Sequence, residues 1–267
     1  MGLQFLSLSS GSSGNCYYLG TETYGILIDA GIGPRTIKKF LKEYDIPFER
    51  IIALLITHDH TDHIKYAGVL GEKFGIPVYT TRRIHDGMNR NYSMTEKIYA
   101  SRREISKEVT FSIRDFSITA FEVSHDGSDN VGYHIEFEGV KFGIATDLGV
   151  VTDIVARHLS DVNHLVIEAN YDNEMLHNGK YPAHLKSRIH CDTGHLSNMD
   201  AALFLSSVFD FHLKSVYLCH ISKDNNHPEL AYKTVEMKLG DFGIRAGKDF
   251  ELISLKRNVP TGIFHLI

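Results

Sequence analysis

Thr57-His58-Asp59-His60-Thr61-Asp62-His63 gathers three histidines and two aspartates in seven residues. This histidine block follows Ile51-Ile52-Ala53-Leu54-Leu55-Ile56, a continuous run rich in β-branched residues that predicts a strand covered on both faces. A loop at the end of a buried strand is held by a rigid scaffold, which is where catalytic groups are commonly placed. The position of the block therefore favours a functional site.

The spacing within the block suits metal ions. His58 and His60 are two residues apart, so in an extended loop both imidazoles project to one side and can reach the same ion. Asp62 and His63 follow where the chain turns into a helix, face differently, and could hold a second ion. Imidazole with carboxylate suits zinc, manganese or iron, and the absence of thiolates favours an open catalytic site. The alternative is a solvent loop with four polar residues by chance.

Further candidate ligands follow other predicted strands. His125 comes after residues 118–123, Asp147 after residues 142–146, and His220 after residues 216–219. Singly, such residues are more often caps or surface groups, but together with the histidine block they indicate one metal site. Asp147 suits a bridging position, because a carboxylate has two oxygens and can contact two ions.

Composition limits the class of protein. The chain has 267 residues and a net charge of −5, which predicts one compact domain over residues 1–267 without a generic basic coat for nucleic acid. A metal site could still supply the positive charge that phosphate needs. Three widely spaced cysteines argue against a disulfide framework and a four-cysteine zinc site. No apolar run could span a bilayer, and the N-terminus lacks a signal-peptide pattern, so we expect a cytoplasmic protein with no membrane partner.

Hydrophobic patterns predict an α/β fold of two sheets packed face to face with helices outside. The predicted strands cover residues 3–8, 16–19, 25–29, 51–56, 77–80, 109–113, 116–123, 130–137, 140–146, 164–168, 215–219 and 249–254. The predicted helices lie near residues 34–44, 64–75, 81–107, 151–159, 182–191, 198–209 and 228–239.

The whole chain resembles the metallo-β-lactamase superfamily, because Asp29, the histidine block, His125, Asp147 and His220 occur in that family's order. The resemblance implies a four-layer αββα sandwich with two mixed β-sheets. It implies two divalent ions, zinc or manganese with iron possible, in sites that share Asp147 as a bridge. The implied ligands are His58, His60 and His125 for one ion, and Asp62, His63 and His220 for the other.

Asp29 is implied by the resemblance to orient the histidine loop, in keeping with the need to fix ligand tautomers. Its alternative is a turn aspartate before Gly31.

Four motifs resemble the bacterial YycJ/WalJ-type branch, which is described as DNA exonucleases. They are Ser10-Gly11-Ser12-Ser13-Gly14-Asn15, Glu168-Ala169-Asn170-Tyr171-Asp172, Gly194-His195-Leu196-Ser197-Asn198, and His220-Ile221-Ser222 followed after two unspecified positions by Asn225-Asn226. The last two also resemble tRNase Z-like phosphodiesterases, which implies that His195 is a proton donor or a phosphate contact. Alternatively, His195 only precedes a helix capped by Ser197 or Asn198. Glu168 could orient His195.

Two segments are candidate substrate contacts. Ser12, Ser13 and Asn15 lie in a Ser/Gly loop that could hold a phosphate, or that could be a plain hairpin turn. A basic stretch over residues 82–107 includes Arg102 and Arg103 with interleaved tyrosines. It predicts phosphate tracking with base stacking, or else a solvated helical face.

The expected function is metal-dependent phosphodiester hydrolysis, with DNA favoured over RNA and with Asp62, Asp147 and His195 as catalytic residues. Water activated by the metal pair would attack phosphorus in line, and His195 would assist the leaving oxygen. Alternatives are a hydrolase of the same fold acting on a small ester, thioester or lactam, a di-iron protein that reduces oxygen or nitric oxide, and an inactive binding module.

Overall fold

Fourteen strands and eight α-helices are formed by residues 2–266, which are the residues that this computed structural model describes. The strands are β1 Leu3–Ser9, β2 Cys16–Gly20, β3 Gly25–Ile28, β4 Ile51–Leu55, β5 Val78–Thr81, β6 Arg102–Ile105, β7 Phe111–Ile113, β8 Phe116–Glu122, β9 Val131–Phe137, β10 Val140–Ala145, β11 His164–Glu168, β12 Ser215–Cys219, β13 Glu251–Ser254 and β14 Thr261–Leu266. The helices are α1 Pro34–Lys42, α2 Thr61–Ile64, α3 Arg82–Arg90, α4 Asp153–Leu159, α5 Asn173–Asn178, α6 Ala183–His190, α7 Asn198–Val208 and α8 Pro228–Gly240. Short 3-10 and π-helical segments occur at Phe48–Arg50 and Val69–Lys73.

The strands form two seven-stranded sheets. The sequence predicts two sheets, and the family resemblance implies that both are mixed. The first sheet has the order β14-β1-β2-β3-β4-β5-β6, and the second has the order β13-β12-β11-β10-β9-β8-β7. Strands β3 to β6 run parallel in the first sheet, and β10 to β13 run parallel in the second. In each sheet, residues just beyond the carboxyl ends of neighbouring parallel strands therefore meet at one edge.

The chain divides into two compact units. The first contains residues 2–113, Gly127–Asn130 and residues 256–266, and the second contains Arg114–Asp126 and Val131–Leu255. The assignment of one domain to the whole chain stays a prediction. Within the second unit, one core joins strands β11 and β12 to helices α4, α7 and α8 through buried aliphatic side chains such as Ile167, Leu205 and Val235. Burying these apolar surfaces stabilises the frame that carries the strand-end residues.

The predicted helical stretch over residues 81–107 is wrong in its second half. Helix α3 ends at Arg90, and Arg102–Ile105 forms the edge strand β6, which pairs in parallel with β5. The polar sequence gave no apolar periodicity to show this pairing, because an edge strand needs no buried face. The predicted helix over residues 64–75 is also interrupted, since α2 ends at Ile64 and a π-helical segment begins at Val69.

Helix α5 and strand β14 were not predicted, whereas the bounds of β11 and β12 agree with the sequence patterns. Within residues 2–266, every helix is too short or too polar to cross a lipid bilayer.

Candidate metal centre

Asp29 organises the histidine block of the first unit. This fully buried residue follows β3, and its carboxylate accepts hydrogen bonds from the backbone N–H of Thr57 at 2.9 Å and from the Thr57 hydroxyl at 2.9 Å. Asp29 Oδ2 also lies 2.7 Å from His63 Nδ1. Because an ionised carboxylate only accepts, His63 carries its proton on Nδ1 and offers the lone pair of Nε2.

The rings of the block lie close together. The His58 ring centroid is 4.7 Å from that of His60 and 4.1 Å from that of His63. The Thr57 hydroxyl is 3.0 Å from His58 Nδ1, so Nε2 is the nitrogen left for a ligand. Asp62 Oδ2 lies 3.6 Å from His63 Nε2. The first unit thus gathers His58, His60, Asp62 and His63.

The other aspartate of the block has a different role. Asp59 accepts hydrogen bonds from the backbone N–H and the hydroxyl of Ser128 at 2.9 and 2.5 Å. Its carboxylate holds the loop Gly127–Asn130, which leaves it poorly placed to bind a metal.

Asn15 contacts the histidine block from outside it, whereas the sequence predicts it in an open phosphate loop. It is fully buried, and its Nδ2 lies 2.9 Å from His63 Nε2. The backbone N–H of Gly11 donates to Asn15 Oδ1 at 2.7 Å, which fixes the orientation of the amide. A metal ion on His63 Nε2 requires this amide to move aside, because both would use the same lone pair.

Ser12 and Ser13 contact the segment before β14 instead of the histidine block. The Ser12 hydroxyl accepts from Arg257 at 3.2 Å, and the Ser13 hydroxyl donates to Asn258 Oδ1 at 3.0 Å.

Glu168 organises the cluster of the second unit. This fully buried carboxylate ends β11, and its Oε1 lies 2.8 Å from His195 Nδ1 and 2.9 Å from His220 Nδ1. Its Oε2 accepts from the backbone N–H groups of Leu148 at 2.7 Å and Leu196 at 3.1 Å. Glu168 therefore fixes both imidazoles with their protons on Nδ1, leaving Nε2 as the functional nitrogen of each.

Asp147 and His125 lie beside this carboxylate. Asp147 Oδ1 is 3.3 Å from His220 Nδ1, 3.4 Å from His195 Nδ1 and 3.6 Å from His125 Nε2. His125 Nδ1 donates to the backbone carbonyl of Gly194 at 2.8 Å, which again leaves Nε2 on the side of Asp147. The second unit therefore brings together His125, Asp147, Glu168, His195 and His220.

Charge and burial shift the proton affinities in this cluster. Burial acts to raise the pKa of Glu168, but the charge and hydrogen bond of His195 and the hydrogen bond of His220 outweigh it, so the pKa is lowered. Burial acts to lower the pKa of His195, but the charge and hydrogen bond of Glu168 raise it above its ordinary value. The carboxylate of Glu168 and the charged form of the His195 imidazole therefore stabilise each other.

Three strand-end residues have left-handed backbones, which the sequence did not reveal. The φ angles are 61° at Asp29, 50° at Asp147 and 50° at His220. Such φ values are uncommon for residues other than glycine, and they persist where surrounding structure holds them. These turns place the side chain at the very end of β3, β10 and β12.

Asn170 was missed as a supporting residue, although its motif was noted. Its Nδ2 donates to the backbone carbonyl of His220 at 2.8 Å. Thr57 and Gly194 were missed in the same way, because their contacts depend on tertiary pairing that spacing cannot show.

The basic stretch is partly neutralised. Arg102 contacts Asp86 at 2.9 Å and Glu104 at 2.8 Å, and Lys107 pairs with Asp129. Arg103 donates to two backbone carbonyls. Tyr92 and Tyr99 are largely exposed.

The donor sets fit divalent metal ions. Each unit supplies imidazoles with carboxylates, and the second nitrogen of His58, His63, His125, His195 and His220 is held by a hydroxyl, a carboxylate or a carbonyl. Metal-binding histidines are almost always held in this way.

Comparison with known proteins agrees with this chemistry. The sequence model of the "Beta-lactamase superfamily domain" matches residues 24–221. "Exodeoxyribonuclease YycJ" of Bacillus anthracis is 36% identical over 266 residues, covering 98% of this chain and 99% of that protein. "Exodeoxyribonuclease WalJ" of Streptococcus pneumoniae is 36% identical over 264 residues, covering 98% of this chain and 97% of that protein.

A solved structure of similar fold is the metallo-β-lactamase fold protein YhfI from Bacillus subtilis. Its TM-score is 0.66 at 16% identity, over 97% of this chain and 99% of that chain. This likeness confirms the predicted fold class.

Proposed function

Because the chain belongs to the metallo-β-lactamase superfamily, in its YycJ/WalJ branch, we propose that it is a metal-dependent phosphodiesterase that degrades DNA as an exonuclease. The observation that carries this function is the 36% identity to two exodeoxyribonucleases over 98% of the chain. The two clusters of imidazoles and carboxylates support the same reaction class.

The proposed cofactor is a pair of divalent ions, zinc or manganese, with iron possible. When bound, they supply Lewis acidity that activates water and neutralises charge on the phosphate. The proposed ligands are His58, His60 and His125 for one ion and Asp62, His63 and His220 for the other, with Asp147 shared.

His195 is the proposed proton donor to the leaving oxygen. Glu168 holds Nδ1, so Nε2 is the nitrogen that faces the substrate, and the side chain is 17% exposed against 4% for His220. A positioned acid with this access can protonate an alkoxide as it leaves. Glu168 keeps the ring in one tautomer, and Asp29 does the same for His63.

DNA is the proposed substrate in preference to RNA, and the cytoplasm is the proposed location. The rival activity is hydrolysis of a small ester, thioester or lactam, since the same donor set serves several bond types.

The test uses linear and circular single-stranded DNA of one sequence, with RNA of that sequence as a third substrate and manganese or zinc added. We expect stepwise shortening of end-labelled linear DNA, no cutting of the circle, and slower loss of RNA. Cleavage of the circle would show an endonuclease. Inertness toward all three substrates, together with hydrolysis of a lactam or a thioester, would favour the rival.

A further inference from the structure

A cavity of about 540 Å³ lies in the second unit, beside the end of α5 and the loop that follows β12. It is separate from the cluster around Glu168 and takes no part in the chemistry described above. The lining residues that matter here are Gly179, Lys180, Tyr181, Lys223, Asp224 and Asn225.

Asn225 has a buried side-chain amide that lines the cavity. The residue is 1% exposed, and neither Oδ1 nor Nδ2 has a hydrogen-bond partner among residues 2–266. Its backbone is nevertheless fixed, because its N–H donates to the Ser222 hydroxyl at 3.2 Å and its carbonyl accepts from Asp172 at 2.9 Å. A buried amide that bonds to nothing is costly, so this one indicates a ligand.

The neighbouring Asn226 shows what a structural amide looks like in this loop. Its Nδ2 donates to the carbonyls of Ala169 and Asn170 at 3.0 Å each and to Asn198 Oδ1 at 2.8 Å. Asn225 instead points to Gly179, where an added Cβ would lie 2.9 Å from Asn225 Oδ1. The glycine keeps the space beside the amide open.

The charges at the cavity favour an anionic ligand. Lys180 and Lys223 are exposed, and neither ammonium makes a hydrogen bond or an ion pair with the described part of the chain. Among the described residues that line the cavity, the one carboxylate is that of Asp224, which accepts a hydrogen bond from the Tyr181 hydroxyl at 2.9 Å. Two unpaired lysines can bind phosphate, while the amide can donate to and accept from the polar edge of a base.

The cavity also lies within reach of the reacting groups. Asn225 is five residues beyond His220, and five residues span at most about 18 Å. Asn170, in the loop after β11, is hydrogen-bonded to the loop after β12. Its side chain donates to the His220 carbonyl, and its own carbonyl accepts from the backbone N–H of Ser222. This reach corresponds to a few nucleotides of a single strand.

We propose that the cavity is a nucleotide subsite of the DNA strand, away from the cleaved bond, in which Lys180 and Lys223 bind phosphate and Asn225 binds the base. The assignment rests on the proposed nuclease function and names residues that hold its substrate.

The first test compares two double variants on a single-stranded 12-mer of DNA. Lys180→Gln with Lys223→Gln should raise KM about tenfold and reduce the slope of log affinity against log salt by about 1.4, the value for two phosphate contacts on a single strand. Lys233→Gln with Lys238→Gln removes equal charge from α8 and should change KM less than twofold. The KM for bis(p-nitrophenyl) phosphate should stay unchanged in the variant of Lys180 and Lys223.

The second test separates binding from a structural role. Asn225→Leu should keep or raise the melting temperature while weakening binding of the 12-mer, measured by fluorescence anisotropy in EDTA. Asn226→Leu should lower the melting temperature, because all the hydrogen bonds of its buried amide, donated by Nδ2 and accepted by Oδ1, are lost.

A parent that cuts DNA, with KM and salt slope unaltered by the lysine changes, would overturn the subsite and leave the nuclease function standing. An Asn225→Leu protein that melts early and binds DNA normally would overturn it as well. A parent inactive on every nucleic acid would refute the function, and the subsite with it.

Discussion

His195 and His220 both contact the Glu168 carboxylate but differ in the solvent exposure of their side chains. Both place Nδ1 within 2.9 Å of Glu168 Oε1, yet the His195 side chain is 17% exposed and that of His220 is 4% exposed. The buried ring suits a metal ligand, and the accessible ring suits a group that meets the substrate.

Substituting each histidine in turn tests this division. His195→Ala should keep nearly all of its metal while turnover falls roughly a hundredfold or more, the usual range for a positioned acid. His220→Ala should lose metal. Metal content by mass spectrometry and initial rates on DNA are the measurements. Equal metal loss in both variants would make His195 a ligand.

At the residue scale, the sequence predicted the candidate ligands because each follows a recognisable strand. It could not predict that Asn15 contacts His63 or that Glu168 serves two histidines, since those contacts join segments far apart in the chain. Asn15 was expected at an open phosphate loop, whereas the structure buries it.

Among the elements, the edge strand β6 depends on an acidic side chain. Glu72, in the π-helical segment, accepts from the Ser101 hydroxyl at 2.6 Å and from the backbone N–H groups of Tyr99, Ala100 and Ser101. The hydrogen bond from the Ser101 hydroxyl is the main cause that lowers the pKa of Glu72 to about 2, and the hydrogen bonds from the backbone N–H groups lower it less.

This contact predicts a pH-dependent loss of stability. The folded pKa lies below the ordinary value of 4.5, so the stabilisation is complete above about pH 4.5 and disappears as pH falls toward 2. Glu72→Gln should lower the free energy of unfolding by about 1 kcal/mol at pH 7, and this difference from the parent should shrink in acid. Glu96→Gln, which breaks a surface pair with Lys73, should cost less. Urea unfolding from pH 7 to pH 3 measures both, and a pH-independent difference would refute the assignment.

The arginines of the basic stretch differ between helix α3 and strand β6 in whether they are paired. Arg83 and Arg90 are exposed on α3, two turns apart, and make no ion pair with the described residues. Arg102 forms an ion pair with Asp86, and Arg103 donates to backbone carbonyls. If the stretch contacts DNA, Arg83→Gln with Arg90→Gln should flatten the salt dependence of duplex binding more than Arg102→Gln with Arg103→Gln. Anisotropy titrations at several salt concentrations compare them, and the opposite order would assign binding to β6.

For the whole molecule, the positions of most strands along the chain follow from the sequence. Runs such as residues 164–168 and 215–219 are short, apolar and bounded by turns, and they match β11 and β12. Strand β6 was missed because its side chains are polar and its pairing with β5 is decided by tertiary structure. The left-handed turns after β3, β10 and β12 were also beyond prediction, since they involve aspartate and histidine instead of glycine.

Metal ions held by these residues are proposed to drive DNA hydrolysis. The most direct measurement is release of nucleotides from end-labelled DNA by protein stripped with a chelator, before and after zinc or manganese is added. We expect no release from the stripped protein, recovery with metal, and neither recovery nor full metal content in Asp147→Ala. Undiminished release without metal, or full recovery in Asp147→Ala, would contradict the account.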